Sequence, residues 1–422
     1  MKIETKCLHS GYTPKNGEPR ALPIYQSTTF AFDSTEFIGD LFDFSASAHF
    51  YSRLSNPTVA AVEDKLADLE GGIGAVLTSS GQAATTLALF NILKAGDHFI
   101  SSATIYGGTF NLFAVTFKKL GIEVTFVDPE LPLSELQKEI RPNTKAVFGE
   151  TISNPTINVL DIEKFVKLAH DNNIPFIIDN TFATPILCRP IEYGADIVIH
   201  STTKYLDGHA IQVGGAVIDS GNFDWKANGF TELYEPDESY HGLIYTEHFG
   251  KAAYIAKARA QMMRDYGMCQ SANGAFLLNL GIETLPLRMA KYCENALKVA
   301  EFFEGRKEIK SVGYPALKGD ANYELYKKYL PDGASGVIAI IIDGGKEKAV
   351  KFMDALKLAS NVVHVADIRT CVLHPASETH RQLSDEQLKA AGIDAGLIRV
   401  SVGLENVEDI IADFEQALKQ MC

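Results

Sequence analysis

The sequence has no hydrophobic run long enough to cross a membrane. Its longest purely apolar run, Val337–Ile342, is far shorter than the roughly 20 residues of a membrane helix, and its N-terminus carries no apolar signal region. Positive charge is also scarce, because 39 Lys and Arg residues against 53 Asp and Glu residues leave a net charge of −14. An acidic surface disfavours binding to nucleic acid or anionic membranes. We therefore expect a cytoplasmic protein that binds neither.

Several sequence signatures of binding and catalysis are missing as well. The six cysteines form no CxxC pair and no Cys/His zinc spacing, which favours free thiols in a reducing compartment and predicts no metal site. There is no GxxxxGK[ST] loop, no HExxH and no GxSxG elbow. The glycines at 71–74 precede a predicted strand, whereas a dinucleotide fingerprint follows one. These absences disfavour a nucleotide-binding protein, a zinc hydrolase and a serine hydrolase.

The 422 residues are enough for two or three domains. Residues 1–55 show no sustained hydrophobic period and predict an extended N-terminal arm. Pro57 at a helix start and Gly71 after its end then bound a first helix. Residues 256–422 contain long helical stretches and a few apolar runs, which predict a smaller α+β domain; those runs are Val337–Ile342, Val362–Val365 and Leu397–Val400.

Between these segments, residues 56–255 predict a large α/β domain. Short runs that are apolar on both faces alternate with helical stretches, as in a mostly parallel sheet covered on both sides. The runs are Ala75–Leu77, Phe99–Ile100, Val124–Val127, Ala146–Phe148, Phe176–Ile178 and Ile197–Ile199.

Polar residues follow these runs at the carboxyl ends of the predicted strands, where ligands gather in open α/β sheets. After the first run, a Ser-Gly-Gln segment opens a helix, and its backbone N–H groups and the helix dipole suit a phosphate. A carboxylate at another strand end could pair with a protonated ring nitrogen, and a lysine behind two hydroxyl donors could form an imine. Together these groups predict a site for pyridoxal 5′-phosphate (PLP). They are Ser80, Gly81, Gln82, Ser201 and Thr203 for the phosphate, Asp179 for the ring and Lys204 for the imine.

Each of these features alone has a more ordinary explanation. Ser80 before a helix is usually just a cap. Asp179 at a strand end could equally be a turn residue, and a single lysine after Thr-Thr is usually a solvated surface residue. Only their joint placement favours a functional site.

Four segments resemble the Cys/Met-metabolism family of PLP enzymes, the cystathionine γ-synthase-like group. They are YSRLSNPT at 51–58, SSGQA at 79–83, DNTFATP at 179–185 and ADIVIHSTTKY at 195–205, and the resemblance extends over nearly the whole chain. It implies the PLP-dependent transferase fold, aspartate aminotransferase-like and of fold type I.

The resemblance also implies a role for each matching residue. Lys204 would carry PLP and shuttle protons, Tyr106 would stack on the ring and Asp179 would pair with its nitrogen, so these three would be catalytic. Arg399 would hold the substrate carboxylate as a bidentate fork, with a surface salt bridge as the alternative. The full cofactor set would be Lys204, Tyr51, Arg53, Ser80, Gly81, Gln82, Tyr106, Asn154, Asp179, Ser201 and Thr203, and the substrate set Arg399, Asn154, Tyr51 and His364.

Within the family, Asp219–Trp225 and Glu235–Gly242 resemble the insertion of O-acetylhomoserine sulfhydrylases. This implies γ-replacement on O-acetyl-L-homoserine with sulfide, giving L-homocysteine and acetate. Gly108 stands where methionine γ-lyases usually have Cys. His364 begins His-Val-Ala-Asp where Asn-Val-Gly-Asp is usual, and it would lie either at the substrate carboxylate or behind it as a packing residue.

Other activities stay open at this point. A methionine γ-lyase or a cystathionine γ-synthase or lyase could use the same scaffold, and a non-catalytic PLP protein would keep the cofactor without turnover. Acetyl, succinyl and phosphoryl leaving groups are alternatives, as are sulfide and methanethiol. Tyr51 and Arg53 are similar to family residues that reach the phosphate of a neighbouring subunit. The arm would then complete that subunit's site in a homo-oligomer, either a dimer or a tetramer built from two dimers.

Overall fold

The computed structural model describes residues 1–379, 381 and 394–421, and its larger sheet has seven strands within them. These are β1 Gly74–Thr78, β2 His98–Ser102, β3 Glu123–Val127, β4 Thr144–Glu150, β5 Phe176–Asp179, β6 Ile197–His200 and β7 Gly215–Asp219. They lie in the order β1-β7-β6-β5-β4-β2-β3. Strands β3, β2, β4, β5 and β6 run parallel to one another. The expected α/β fold with a mostly parallel sheet is therefore confirmed.

The smaller sheet lies in the C-terminal part of the chain. Its described strands are β8 Ile309–Gly313, β9 Val337–Ile342, β10 Ser360–Asn361, β11 Cys371–Leu373 and β12 Leu397–Ser401, in the order β10-β11-β12-β9-β8. β12 pairs antiparallel with both β9 and β11. A separate hydrophobic cluster, which includes Phe303, Phe352 and Phe414, packs the long C-terminal helices on this sheet.

The helices of the described residues connect the strands and cover both sheets. They are α1 Ile3–His9, α2 Thr35–Phe42, α3 Pro57–Glu70, α4 Gly81–Phe90, α5 Gly107–Asn111, α6 Leu133–Leu136, α7 Ile162–His170, α8 Thr184–Leu187, α9 Thr231–Tyr234, α10 Tyr245–His248, α11 Ala253–Lys257, α12 Arg264–Tyr266, α13 Ala272–Glu283, α14 Leu285–Glu304, α15 Tyr323–Tyr329, α16 Gly345–Asp354 and α17 Val407–Gln420. Leu112–Phe117 and Ala258–Met263 are π-helical, and short 3₁₀ turns cover Gln137–Glu139, Pro190–Tyr193, Glu238–Tyr240 and Gly250–Ala252.

Helix α3 shows how local sequence sets the bounds of an element. The Asn56 side chain accepts a hydrogen bond from the Thr58 backbone N–H at 3.0 Å, and Pro57 occupies the first helical position, where a missing N–H costs nothing. At the other end, Gly71 has φ 81°, a left-handed conformation that glycine adopts without strain. The predicted start and end of this helix are both confirmed.

Three details differ from the sequence-based expectation. The arm is not wholly extended, because it contains α1 and α2; α2 spans only 8 residues, too few for a sustained period, and most of its apolar side chains are at least partly exposed. Val362–Val365 is not a strand, because the edge strand β10 ends at Asn361 and Val363 is 70% exposed. Strand β7 is antiparallel to both of its neighbours, β6 and β1.

The segment that resembles the sulfhydrylase insertion packs back onto the protein. Trp225 is buried and stacks on Tyr254, with ring centroids 5.0 Å apart. In the second half of the segment, the Tyr245 hydroxyl donates to Asp237 at 2.8 Å. The segment is thus tied to helices α10 and α11 rather than projecting into solvent.

Five of the six cysteines lie within the described residues. Cys7, Cys188, Cys269, Cys293 and Cys371 are all free thiols, and Cys422 lies outside the described residues. Within the same residues, every helix is too short or too polar to cross a membrane. The described side chains also form no group of three or more His, Cys, Asp or Glu residues that could hold a metal ion.

Candidate active site

The carboxyl ends of β4, β5 and β6 lie side by side and carry polar residues. Glu150 at the end of β4 pairs with Asp179 at the end of β5, and Asp179 lies opposite Ile199, next to His200 at the end of β6. Because these strands are parallel, all three chain segments leave the sheet at the same edge. The turn that contains Lys204 follows β6 and therefore starts at the edge that carries Asp179.

The Lys204 side chain is largely buried near one other cation. Its Nζ lies 3.4 Å from His364 Nδ1. Burial, with a further contribution from the positive charge of Arg399, lowers the pKa of Lys204 to about 8. An amine with this pKa has a sizeable neutral fraction near neutral pH, as a nucleophile and proton carrier requires.

Asp179 is held by its neighbour Thr181. The Thr181 backbone N–H donates to Asp179 Oδ1 at 2.9 Å and its hydroxyl donates to the same oxygen at 2.5 Å. Thr181 Oγ1 in turn accepts a hydrogen bond from the Ser201 backbone N–H at 2.8 Å, which links the ends of β5 and β6. Burial raises the pKa of Asp179, so its negative charge is costly unless a cation lies opposite it.

The start of α4 lies against Ser201. Ser80 caps the helix by accepting a hydrogen bond from the Ala83 N–H at 3.1 Å. No described residue accepts a hydrogen bond from the N–H groups of Gly81 or Gln82, which are among the unpaired donors of a first helical turn. A Cβ at Gly81 would come 2.7 Å from Ser201 Cβ, so glycine allows this close approach. The two segments together form an anion-binding corner.

The other predicted cofactor contacts flank this corner. The Thr203 hydroxyl is bound to the backbone of Gly214, from which it accepts an N–H at 3.0 Å. Tyr106 is 48% exposed, and a Cβ at Gly108 would come 2.5 Å from its ring, so glycine is needed beside it. Gln82 is close by, since its Nε2 donates to Thr109 at 3.2 Å in the first turn of α5.

Arg399 on β12 points its guanidinium to the same region. Nη1 donates to Asn154 Oδ1 at 3.2 Å and Nη2 donates to the His364 carbonyl oxygen at 3.0 Å, while Nε is buried without a partner. Burial lowers the pKa of Arg399, but an arginine keeps its charge in proteins. No described carboxylate forms a salt bridge with this buried cation, which suits it to a carboxylate ligand.

A cleft of about 240 Å³ lies beside these residues. Its apolar side is formed by Ile211 and Val213, which are 56% and 63% exposed. The full lining is Thr203, Ala210, Ile211, Gln212, Val213 and His364. The cleft therefore joins a predicted phosphate residue to a predicted substrate residue.

Two predicted site residues, Tyr51 and Arg53, contact each other but no other predicted site residue within the described part of the chain. Arg53 lies over the Tyr51 ring, 5.2 Å from its centroid, and donates to the Arg264 carbonyl oxygen at 2.6 Å. Both residues are exposed, and within the described residues neither bonds to the anion-binding corner.

Sequence reasoning assigned no role to two residues that the structure places in the site. Thr181 joins Asp179 to the backbone of Ser201, and Glu150 accepts a hydrogen bond from the Tyr106 N–H at 2.7 Å. Thr181 lies in a segment that carries the family resemblance. Glu150 ends an apolar strand with a carboxyl, and a buried charge at such a position was the available signal.

The residues at this edge fit PLP. The unpaired N–H groups at the start of α4 suit its phosphate, and the tight contact of Gly81 with Ser201 leaves them pointing to one corner. The partly buried Asp179, whose pKa is raised by desolvation, gains a counter-charge from a protonated ring nitrogen. The Lys204 amine, with its lowered pKa, suits the aldehyde.

Comparison with known proteins agrees with this fit. The family model of Cys/Met metabolism PLP-dependent enzymes matches residues 4–419. The O-acetyl-L-homoserine sulfhydrylase of Leptospira meyeri is 44% identical over 431 residues, which cover 100% of this chain and 97% of the relative. The homocysteine/cysteine synthase of Kluyveromyces lactis is 44% identical over 98% of this chain and 96% of its own length.

A solved structure gives the same result for the fold. The metY protein of Campylobacter jejuni, whose crystal structure contains N′-pyridoxyl-lysine-5′-monophosphate, superposes with a TM-score of 0.95 at 38% identity. The match covers 99% of this chain and 100% of that one. The fold is thus the α/β architecture of fold type I, and PLP is the cofactor. The chain belongs to the Cys/Met-metabolism family of PLP-dependent enzymes.

Proposed function

We propose that this protein catalyses γ-replacement on O-acetyl-L-homoserine with sulfide, forming L-homocysteine and acetate. The observation that carries the proposal is full-length similarity, at 44% identity, to a relative named O-acetyl-L-homoserine sulfhydrylase. The site supports it with an amine of lowered pKa, a buried carboxylate and a buried guanidinium close together. An α-amino acid substrate needs such a cation for its carboxylate and such an amine for its Cα proton.

In this proposal Arg399 binds the substrate carboxylate. Its guanidinium is held from both sides, by Asn154 Oδ1 and the His364 carbonyl oxygen, so its plane is fixed before the substrate arrives. The fixed fork orients the amino acid so that Cα lies toward the Lys204 amine. PLP, when bound, supplies the electron sink that stabilises negative charge at the substrate carbon atoms.

Lys204 moves the protons. Once freed from the cofactor, its amine would remove the Cα proton and release it to the electron sink that PLP supplies. As a neutral amine again it would remove a Cβ proton, after which acetate leaves from Cγ. Hydrosulfide adds to Cγ, and Lys204 returns protons to Cβ and Cα. A pKa of about 8 lets one amine both accept and give back protons near neutral pH. Asp179 keeps the opposite end of the cofactor charged throughout.

His364 has a place in this sequence through its ring. Burial and the nearby Lys204 cation lower the pKa of His364 to about 4, so its imidazole is neutral at pH 7. We propose that Nδ1 accepts a hydrogen bond from the Lys204 ammonium and holds it between proton transfers. In this role His364 contacts the base with its ring and supports Arg399 with its carbonyl.

The proposed activity is tested by product analysis. Purified, PLP-saturated protein is supplied with O-acetylhomoserine and sulfide, and homocysteine and acetate are expected in equal amounts. Methionine alone is the control: release of α-ketobutyrate and methanethiol at a higher rate would make the protein a γ-lyase and overturn the proposal. O-succinyl- and O-phosphohomoserine, and methanethiol in place of sulfide, then define the leaving group and the thiol.

We also propose that the arm, residues 1–55, completes the site of a neighbouring subunit in a homotetramer built from two dimers. Residues 56–255 would form the PLP-binding domain and residues 256–422 the smaller domain. Exposed apolar side chains on the arm support an interface; they are Ile24, Tyr25, Phe37, Ile38, Phe42 and Tyr51. The exposed position of Arg53 supports a contact outside its own chain.

Mixed oligomers test this arrangement. R53A alone should lose PLP retention and K204A alone should lose turnover. Mixing the two and allowing subunits to exchange should restore part of the activity, because one of the two mixed sites carries both native residues. Verified mixed oligomers without any regained activity would exclude shared sites, and a monomer by ultracentrifugation would exclude the interface.

A further inference from the structure

Glu150 is a buried carboxyl between two residues of the proposed site. It is 6% exposed, and its Oε1 accepts a hydrogen bond from the Tyr106 backbone N–H at 2.7 Å. The backbone N–H of Asn154 lies on the same side of this carboxyl and favours its charged form. Its neighbour across the parallel strand pair is Asp179. One side chain at the end of β4 therefore contacts two loops that are 48 positions apart in the sequence, as counted from 106 to 154.

The two loops serve different ligands. Tyr106 is the residue just before α5 and would lie on the cofactor ring. Asn154 accepts a hydrogen bond from Arg399 Nη1 at 3.2 Å and so contacts the guanidinium that is proposed to bind the substrate. Backbone N–H groups in loops have several possible orientations, and a buried acceptor selects one of them. Glu150 is the acceptor that orients the Tyr106 N–H.

We propose that Glu150 is a positioning residue that fixes Tyr106 and Asn154 relative to each other, so that binding of the cofactor and binding of the amino acid depend on the same carboxyl. This inference rests on the proposed function, because it takes Tyr106 as a cofactor contact and the Asn154–Arg399 pair as a substrate contact. Glu150 itself touches neither ligand in this proposal.

The charge of the two adjacent carboxyls supports this division of roles. Burial and then the negative charge of Asp179 raise the pKa of Glu150 well above its ordinary value, although the N–H groups of Tyr106 and Asn154 oppose the rise. For Asp179, the Thr181 hydrogen bonds and His200 oppose the effect of burial. Burial and Asp179 thus both disfavour a negative charge on Glu150, whereas the Thr181 hydrogen bonds favour one on Asp179, which would face the cofactor ring.

Four variants test the proposal. E150L removes the acceptor at similar volume, and E150Q keeps a neutral acceptor at the same reach. E150D keeps the acid but shortens it, so it cannot reach the Tyr106 N–H. The matched control is D219L, because Asp219 is another buried carboxyl on this sheet that accepts a backbone N–H, from Gly221 at 2.9 Å, at the opposite end of the strands.

The measurements are the dissociation constant of PLP from each folded variant, KM for O-acetylhomoserine, and the thermal midpoint. We expect E150L and E150D to bind PLP about tenfold more weakly and to raise KM about tenfold, since an N–H is left unpaired. E150Q should stay within about threefold of wild type in both, because it leaves no buried N–H unpaired at Tyr106. D219L should lower the thermal midpoint but leave PLP binding within about twofold of wild type.

Two groups of outcomes would overturn the proposal. In the first, E150L or E150D binds PLP as wild type does, or only one of the two ligands is affected. In the second, D219L loses PLP as strongly as E150L, or E150Q is as impaired as E150L at a normal thermal midpoint. PLP binding needs no turnover, so a wild type that binds PLP without forming homocysteine would refute the proposed function and leave the cofactor half of this test intact.

Discussion

The two ends of helix α4 lie in opposite electrostatic settings. At its start, the N–H groups of Gly81 and Gln82 have no described acceptor. At its end, the ammonium of Lys257 is 5% exposed and donates to the carbonyl oxygen of the C-cap residue Asn91 at 2.8 Å. A helix dipole favours an anion at its start and a cation at its end. The chain supplies the cation itself, whereas the start of the helix is suited to a phosphate from a ligand.

Each setting includes a buried lysine, and the comparison shows what makes a lysine reactive. Burial lowers the pKa of both Lys204 and Lys257 to about 8. Lys257 is bound to a carbonyl, with Glu232 nearby to favour its charge, while Lys204 has another cation nearby and a 3.4 Å contact with a neutral imidazole. A lowered pKa is thus common to both, and only the lack of a strong partner leaves Lys204 available for chemistry.

Replacing Lys204 with alanine is the strongest test of this difference. K204A should lose turnover by on the order of 10³-fold or more, because the covalent attachment and the base are removed together. The bound-cofactor absorbance band should also be absent after dialysis. Activity near that of wild type in a variant with normal circular dichroism would contradict the assignment.

Asp179→Asn tests the charge opposite the cofactor. D179N keeps the size of the side chain and the contact with Thr181 but removes the negative charge, so we expect kcat to fall about 100-fold with PLP still bound. Steady-state kinetics on cofactor-saturated enzyme measure this. Unchanged kcat would mean that Asp179 has no electrostatic role.

The pH dependence of cofactor binding tests the availability of Lys204. Only the neutral amine attacks an aldehyde, and the pKa of Lys204 is about 8. The association rate constant of PLP with the apo-protein should therefore rise about tenfold per pH unit below pH 8 and level off above it. Stopped-flow absorbance measures it. A midpoint near the ordinary lysine value of 10.5 would show that burial does not destabilise the ammonium form of Lys204.

Lys257→Met should have the smallest effect on the chemistry. K257M should keep PLP binding and turnover within about twofold of wild type while lowering the free energy of unfolding by about 1–3 kcal/mol, because the Asn91 carbonyl loses a buried charged donor. Between pH 8 and 10.5 the unfolded chain binds more protons at this lysine, so wild type gains stability as pH rises and the variant lacks that gain. Denaturant unfolding at several pH values measures both. A loss of PLP would contradict a purely structural role.

Much of the fold could be read from local patterns. The apolar run Val337–Ile342 has the same bounds as β9, and Gly71 ends α3 as its conformation requires. The direction of β7 could not be read, because its residues GAVID look like those of the parallel strands, and direction is set by where the chain returns. Helix α2 could not be read because its 8 residues make only about two turns, too short a stretch for a sustained period.

Some residues of the candidate site could likewise be predicted from the sequence, and others could not. Asp179 and Lys204 follow apolar strands, so the sheet geometry alone predicts that they share an edge. The predicted strand Val362–Val365 was wrong, yet the loop that replaces it carries His364 to the Lys204 amine. The contact of Glu150 could not be predicted from the sequence. Its partner Tyr106 is 44 positions away and binds through its backbone N–H, which does not depend on the type of side chain.

Strand β7 separates β1 from β6, and so it also spaces the two segments that follow them. A Cβ at Gly215 would come 2.2 Å from the Ser80 carbonyl oxygen. Any side chain there would displace the start of α4 from Ser201, widening the corner without touching a reactive group. In a saturation mutagenesis screen, position 215 should then be as intolerant as a chemical position, although it carries no side chain at all.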